Sequence, residues 1–142
     1  MDPHQRLILK ISYEALTEAG VLSYDIDNTN NTDIQSKQIG VFVGLCNNEW
    51  IHTQDESSSS DPYNNLQSGP ANRLSFLLGL SGPSLVVDTA CSSSLAALHT
   101  AMNSIRCGDC ELAIVVGADL LLSENSIKVC VFIYYLLYLF LK

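Results

Sequence analysis

A chain of 142 residues is long enough for one domain with one true core. Apolar residues make up 47 % of it, which excludes a disordered chain. Acidic side chains outnumber basic ones 15 to 7, for a formal charge of −8, and no Lys/Arg cluster occurs, so a nucleic-acid surface is excluded. Five cysteines, an odd number at low density, follow a polar, charged opening that is not a secretory leader, so a reduced, cytoplasmic setting is expected.

The first predicted element is a helix over residues 3–19. Asp2 can cap it and Pro3 suits its first position. Ile8, Ile11, Ser12, Ala15, Leu16 and Ala19 form an apolar and small stripe at helical spacing, and Gly20 ends it. Residues 24–37, rich in Asn, Asp, Thr and Ser, read as a loop. Gln38–Gly44 reads as a short buried strand between glycines. Residues 52–63 form a serine-rich surface loop. A second helix starts at Pro70, runs through Leu74, Leu77 and Leu78, and ends near Gly79. After the Ser81-Gly82-Pro83 turn, Ser84–Asp88 is a strand. Cys91–Arg106 is a strong helix, with Leu95, Leu98, Ala101, Met102 and Ile105 on one face and Gly108 beyond its end. Glu111–Gly117 is a last buried strand. Regular alternation of helix and strand predicts an α/β layered fold around a largely buried sheet.

The strongest chemical signal is Val87-Asp-Thr-Ala-Cys91-Ser-Ser-Ser-Leu95. Two valines lead into Cys91, small residues crowd it on both sides, and a helical pattern follows. Such a pattern presents one thiol at a tight strand-to-helix turn. Thiolate is the attacking form of cysteine, and the positive end of a helix dipole favours negative sulfur. A free cysteine is more often a small buried hydrophobe. Here three successive serines argue against that reading, because serines are poor in a helix interior and good in a small, polar first turn.

No partner base is evident. His99 lies eight residues along the helix from Cys91, about 12 Å axially, and reads as an ordinary helix residue. His4 sits in the first turn of the opening helix with no evident acidic neighbour, and His52 lies on a polar loop beside Trp50. Cys107-Gly-Asp-Cys110 lacks the second pair that a zinc site needs, and it closes a helix where a redox motif would open one, so it reads as a helix-ending turn. Gly40 and Gly44 bracket a strand without a phosphate-loop lysine. Asp119 and Glu124 read as isolated loop carboxylates.

Residues 82–123, GPSLVVDTACSSSLAALHTAMNSIRCGDCELAIVVGADLLLS, strongly resemble the β-ketoacyl synthase domain of polyketide synthases and animal-type fatty acid synthases. The opening MDPHQRLILKISYEALTEAG resembles a helix of the same family, with His4 where that family typically has Gln. IGVFVG and ANRLSFLLGLSGPS fall in family order. The resemblance implies a thiolase-like layered fold built from two similar halves, of which this chain holds part of the N-terminal half only. It implies that Cys91 accepts an acyl chain, with its backbone N–H in the oxyanion hole, before decarboxylative condensation with a malonyl-type extender. It implies no directly bound cofactor. Substrates would arrive on the phosphopantetheine of an acyl carrier protein. A second copy would meet the chain near Ser84–Asp88.

The sequence also departs from the family. The histidines that drive decarboxylation belong to downstream His-Gly-Thr and Gly-His motifs, and neither motif occurs here. The Met-Asp-Pro segment is internal in the family. Likeness stops near Ser123 and Glu124. The expectation is a partial β-ketoacyl synthase domain over residues 1–125, followed by an apolar tail over 126–142, and unable to complete the reaction alone. The run VCVFIYYLLYLFL at 129–141 would make a helix about 20 Å long, short of the roughly 30 Å of a bilayer core. It reads as a buried element, a membrane-dipping tail or a sequence not selected to fold. The alternative function is a non-catalytic interaction or membrane-associated protein that uses this segment as its anchor.

Overall fold

The computed structural model describes residues 1–22, 38–46, 49–50 and 66–128. The loops expected at 24–37 and 52–63, with His52, and the apolar run at 129–141, with Cys130, lie outside the described residues. The described elements are α1 (Pro3–Glu18), β1 (Ile39–Leu45), α2 (Gly69–Leu78), β2 (Ser84–Val87), α3 (Ser93–Cys107) and β3 (Leu112–Ala118).

The three strands form one parallel sheet in the order β2-β1-β3. β1 is central and buried along its whole length, as its uninterrupted apolar run requires. Its side chains divide by period two. Ile39, Val41, Val43 and Leu45 join Ile8 and Leu16 of α1, Ala71 and Leu74 of α2, and Ile114 and Val116 of β3 in one core. Phe42, on the opposite face, joins Ala97 and Ala101 of α3 and Cys110 in a second core. α1 and α2 thus cover one face of the sheet and α3 covers the other. The chain reaches β2 on one side of β1, then crosses through α3 to β3 on the other side. That reversal opens a crevice at the C-terminal ends of the strands.

Two helix faces differ from the sequence reading. In α1 the buried residues are His4, Gln5, Ile8, Ser12 and Leu16, while Ile11 and Ala15 are exposed. In α3 the buried residues are Ser93, Ala97 and Ala101. Leu95 is 70 % exposed, and Leu98, Met102 and Ile105 also face outward. The small stripe, not the large one, meets the sheet, because small residues let the helix approach the strands closely. Asp2 caps α1 as expected, accepting the His4 backbone N–H at 2.8 Å. The same carboxylate oxygen lies 3.0 Å from His4 Nδ1, and both side chains are fully buried. His4 therefore does have an acidic neighbour. A cap side chain folds over the second helical residue, a proximity that helix spacing alone does not display.

Candidate active site

The nucleophile turn is built from Asp88 to Ser93. β2 ends at Val87 and α3 starts at Ser93 with Ser92 as its cap residue, so Cys91 stands just outside the helix head rather than in its first turn. Ala90 is in the left-handed region with φ +55°, the only non-glycine residue there among the described residues. This costs a residue with a Cβ roughly 1–2 kcal/mol and turns the chain sharply. The neighbouring side chains hold the turn. Asp88 Oδ1 accepts the Ala90 N–H at 3.0 Å. Ser93 Oγ accepts the Thr89 N–H at 2.9 Å and donates to the Ala90 carbonyl at 2.6 Å. Ser92 Oγ donates to the Thr89 carbonyl at 2.8 Å. The serines around Cys91 thus bond to the backbone before it, and the Cys91 side chain is exposed.

Two glycines place this turn against the sheet. Gly44 of β1 pairs with Gly117 of β3 at the ends of their strands. A Cβ on Gly44 would lie 2.6 Å from the backbone of Ser93 and Ser94. A Cβ on Gly117 would lie 2.8 Å from Ser94 Cβ. The glycine pair is the seat of the α3 head.

Above this seat lies a cleft of about 360 Å³, lined by Gly44, Cys46, Ala90, Cys91, Ser93, Ser94, Gly117, Ala118 and Asp119. Asp119 is thus part of the cleft wall, not an isolated loop carboxylate; the parallel pairing of β3 with β1 brings it there. Sequence reasoning misses Cys46 as a site residue. It lies two residues past Gly44, and strand alternation alone could have put it on the α3 side. Its thiol is half-buried, and burial, followed by the carboxylate of Asp88 to which it hydrogen-bonds, pushes its pKa up. Asp119 and Cys91 act in the same direction. Among the described residues, no group of three His, Cys, Asp or Glu side chains could hold a metal ion.

The described histidines do not reach the cleft. His4 is buried with Asp2, and His99 is exposed on α3, where Nε2 lies 3.0 Å from Asn103 Nδ2. Cys107 is exposed at the end of α3, and Cys110 is buried beside Phe42. Burial pushes the Cys110 thiol up in pKa. Gly108 between them is left-handed with φ +81°, so this segment is a helix-ending turn, as its sequence suggests.

The Beta-ketoacyl synthase, N-terminal domain family model matches residues 1–133. The chain belongs to the β-ketoacyl synthase family. This ketosynthase chain is 44 % identical over 127 residues to a phenolphthiocerol/phthiocerol polyketide synthase protein of Mycobacterium tuberculosis, a match that covers 87 % of the chain and 6 % of that relative. It is 40 % identical over 129 residues to a highly reducing polyketide synthase of Penicillium expansum, covering 88 % of the chain and 5 % of the relative. It therefore spans a small part of the length of the curated relatives it matches. Among solved structures, the ketosynthase from module 6 of the bacillaene synthase of Bacillus subtilis 168 superposes with a TM-score of 0.73 at 30 % identity, over 90 % of this chain and 20 % of that one. An oxazolomycin ketosynthase domain of Streptomyces albus JA3453 matches with a TM-score of 0.62 at 37 % identity, over 85 % and 26 % of the two chains. The fold is that of a thiolase-like ketosynthase, present in part.

Proposed function

We propose that this chain carries the acyl-accepting part of a polyketide-synthase ketosynthase, with Cys91 as the nucleophile. The observation that supports this reading is an exposed thiol on a strained, hydrogen-bonded turn at the mouth of a cleft. The sulfur attacks the carbonyl of an acyl thioester borne on the phosphopantetheine of an acyl carrier protein. The carrier thiol leaves and an acyl-Cys91 thioester remains. The Cys91 N–H, on the turn just before the head of α3, is the proposed donor to the oxyanion. The setting is cytoplasmic and no cofactor is bound directly. A second copy meets the chain near Ser84–Asp88, where β2 is the sheet edge. Among the described residues, no helix is long and apolar enough to cross a membrane.

Condensation needs a group that assists loss of carbon dioxide from the extender. No described histidine lies in the cleft, and the family's downstream histidine motifs do not occur in the sequence. We therefore read the chain as competent at most for the first half-reaction, carried by residues 1–125.

The test is incubation of the purified chain with an acyl-pantetheine thioester, then peptide mass analysis. An acyl adduct on the Cys91 peptide is expected, with no condensation product when a malonyl thioester is added. Iodoacetamide at neutral pH should modify Cys91 faster than Cys107, its exposed comparator, and leave buried Cys110 intact. Equal rates at Cys91 and Cys107, together with no adduct at Cys91, would refute the assignment.

A further inference from the structure

We propose that Cys46 and Cys91 form a two-thiol modification site, which a hydroperoxide closes to a disulfide and a dithiol reductant reopens. The inference concerns the same sulfur as the acyl-transfer reading but does not require acyl transfer. Both thiols are free and line one cleft. Their approach follows from the fold. Cys46 continues the side of β1 that carries Gly44, and Gly44 sits against the backbone of Ser93, two residues after Cys91. Asp88 ties the two sides together, since its carboxylate bonds both the Cys46 thiol and the Ala90 N–H beside Cys91.

The chemistry assigns a role to each sulfur. Cys91 is exposed and meets the oxidant first. Its thiolate attacks one peroxide oxygen, the O–O bond breaks, and the other oxygen leaves as water or an alcohol after taking a proton. Cys91 is then a sulfenic acid. The Cys46 sulfur attacks the Cys91 sulfur and expels hydroxide, which takes the Cys46 proton and leaves as water. Two thiols lose two electrons and one peroxide gains them. Half-buried and bonded to Asp88, Cys46 is held as a thiol, so it is not the first sulfur to be oxidised, and it attacks only as its proton is given up in the second step. The consequence is protection. A disulfide returns to two thiols, whereas a lone sulfenic acid goes on to the irreversible sulfinic form.

Trypsin separates the two residues, because cleavage after Lys37, Arg73 and Arg106 puts Cys46 on 38–73 and Cys91 on 74–106. The full 142-residue chain is treated with hydrogen peroxide, alkylated and digested without reductant. The expected product is peptide 38–73 linked to 74–106, lost on dithiothreitol treatment. In Cys46→Ser the link disappears and sulfinic Cys91 takes its place, while Cys107→Ser leaves the link intact. Should wild-type Cys91 reach the sulfinic form while Cys46 remains alkylated, or should it link to Cys107, the pair is refuted whatever the variants do. Acyl capture is read on unoxidised protein, so a missing adduct with a normal link sinks the function and spares the pair.

Discussion

At the scale of single residues, the turn around Cys91 depends on Ser93 more than on any other side chain. Ser93 is 4 % exposed, and its hydroxyl both accepts from the Thr89 N–H and donates to the Ala90 carbonyl. Ser93→Ala removes both bonds and leaves the Thr89 N–H without its acceptor. Such a loss costs about 1–3 kcal/mol. Chemical denaturation should show it, and iodoacetamide should modify Cys91 of the variant at a changed rate, because Ala90 loses one of its restraints. An unchanged rate and midpoint would mean the turn holds itself. This residue level is partly legible in the sequence. Small residues around a cysteine announce a tight turn. What those serines bond to is not legible, and neither is Cys46, which is 45 positions away in the chain and reaches the cleft only through parallel pairing of β1 with its neighbours.

Between elements, the decisive contact is the head of α3 on the ends of β1 and β3. A methyl group at Gly44 would strike backbone atoms of Ser93 and Ser94, which cannot swing away. Overpacking of this kind costs about 1–3 kcal/mol. At Gly117 the obstacle is one small side chain, so Gly117→Ala should cost less than Gly44→Ala, with Cys91 labelling disturbed mainly in the latter. Equal effects would show that α3 is free to shift. The strands and helices themselves are readable from periodicity, since β1, α2 and β3 lie within a residue or so of their expected bounds. The buried face of α3 is not, because hydrophobic spacing marks large residues while close sheet packing selects small ones. A second link between elements is Glu49, whose carboxylate accepts the Leu122 N–H at 2.8 Å, the Ser123 N–H at 3.0 Å and the Ser126 hydroxyl. The Ser126 bond, with help from the two backbone N–H groups, holds its pKa below the usual carboxylate value. A depressed folded-state pKa means that the contribution is complete above the unfolded value and fades as pH falls through the folded one. Amide exchange at Leu122 and Ser123 should therefore lose protection on acidification from the ordinary carboxylate range downward. In Glu49→Gln that acid step should be absent, and its persistence would assign the effect to another group.

Over the whole molecule, the described residues cover the sheet but not the outer face of α3. Leu95, Leu98, Met102 and Ile105 recur at the three- and four-residue steps of a helix stripe meant for burial, and all four are at least 43 % exposed. Leu85 on the β2 edge and Phe76 on α2 add further apolar surface. Apolar area gains about 25 cal/mol per Å² on leaving water, and contiguous patches above a few hundred Å² are uncommon on monomers. A net charge of −8 opposes association but acts over a Debye length of only about 8 Å at physiological salt. Short-range burial should win at micromolar concentration, and the chain should self-associate more strongly as salt is added. Leu95→Glu with Met102→Glu should abolish association beyond the pairing proposed near Ser84–Asp88, with little loss of stability, because neither side chain belongs to the two buried cores. Adding charge elsewhere, as in Thr17→Glu with Gln67→Glu at exposed positions outside α3, separates patch removal from general repulsion. Sedimentation velocity across a concentration series is the measurement. If the control pair disperses the protein as well as the α3 pair, repulsion rather than the stripe governs association. If neither does, the contacts arise from some other surface.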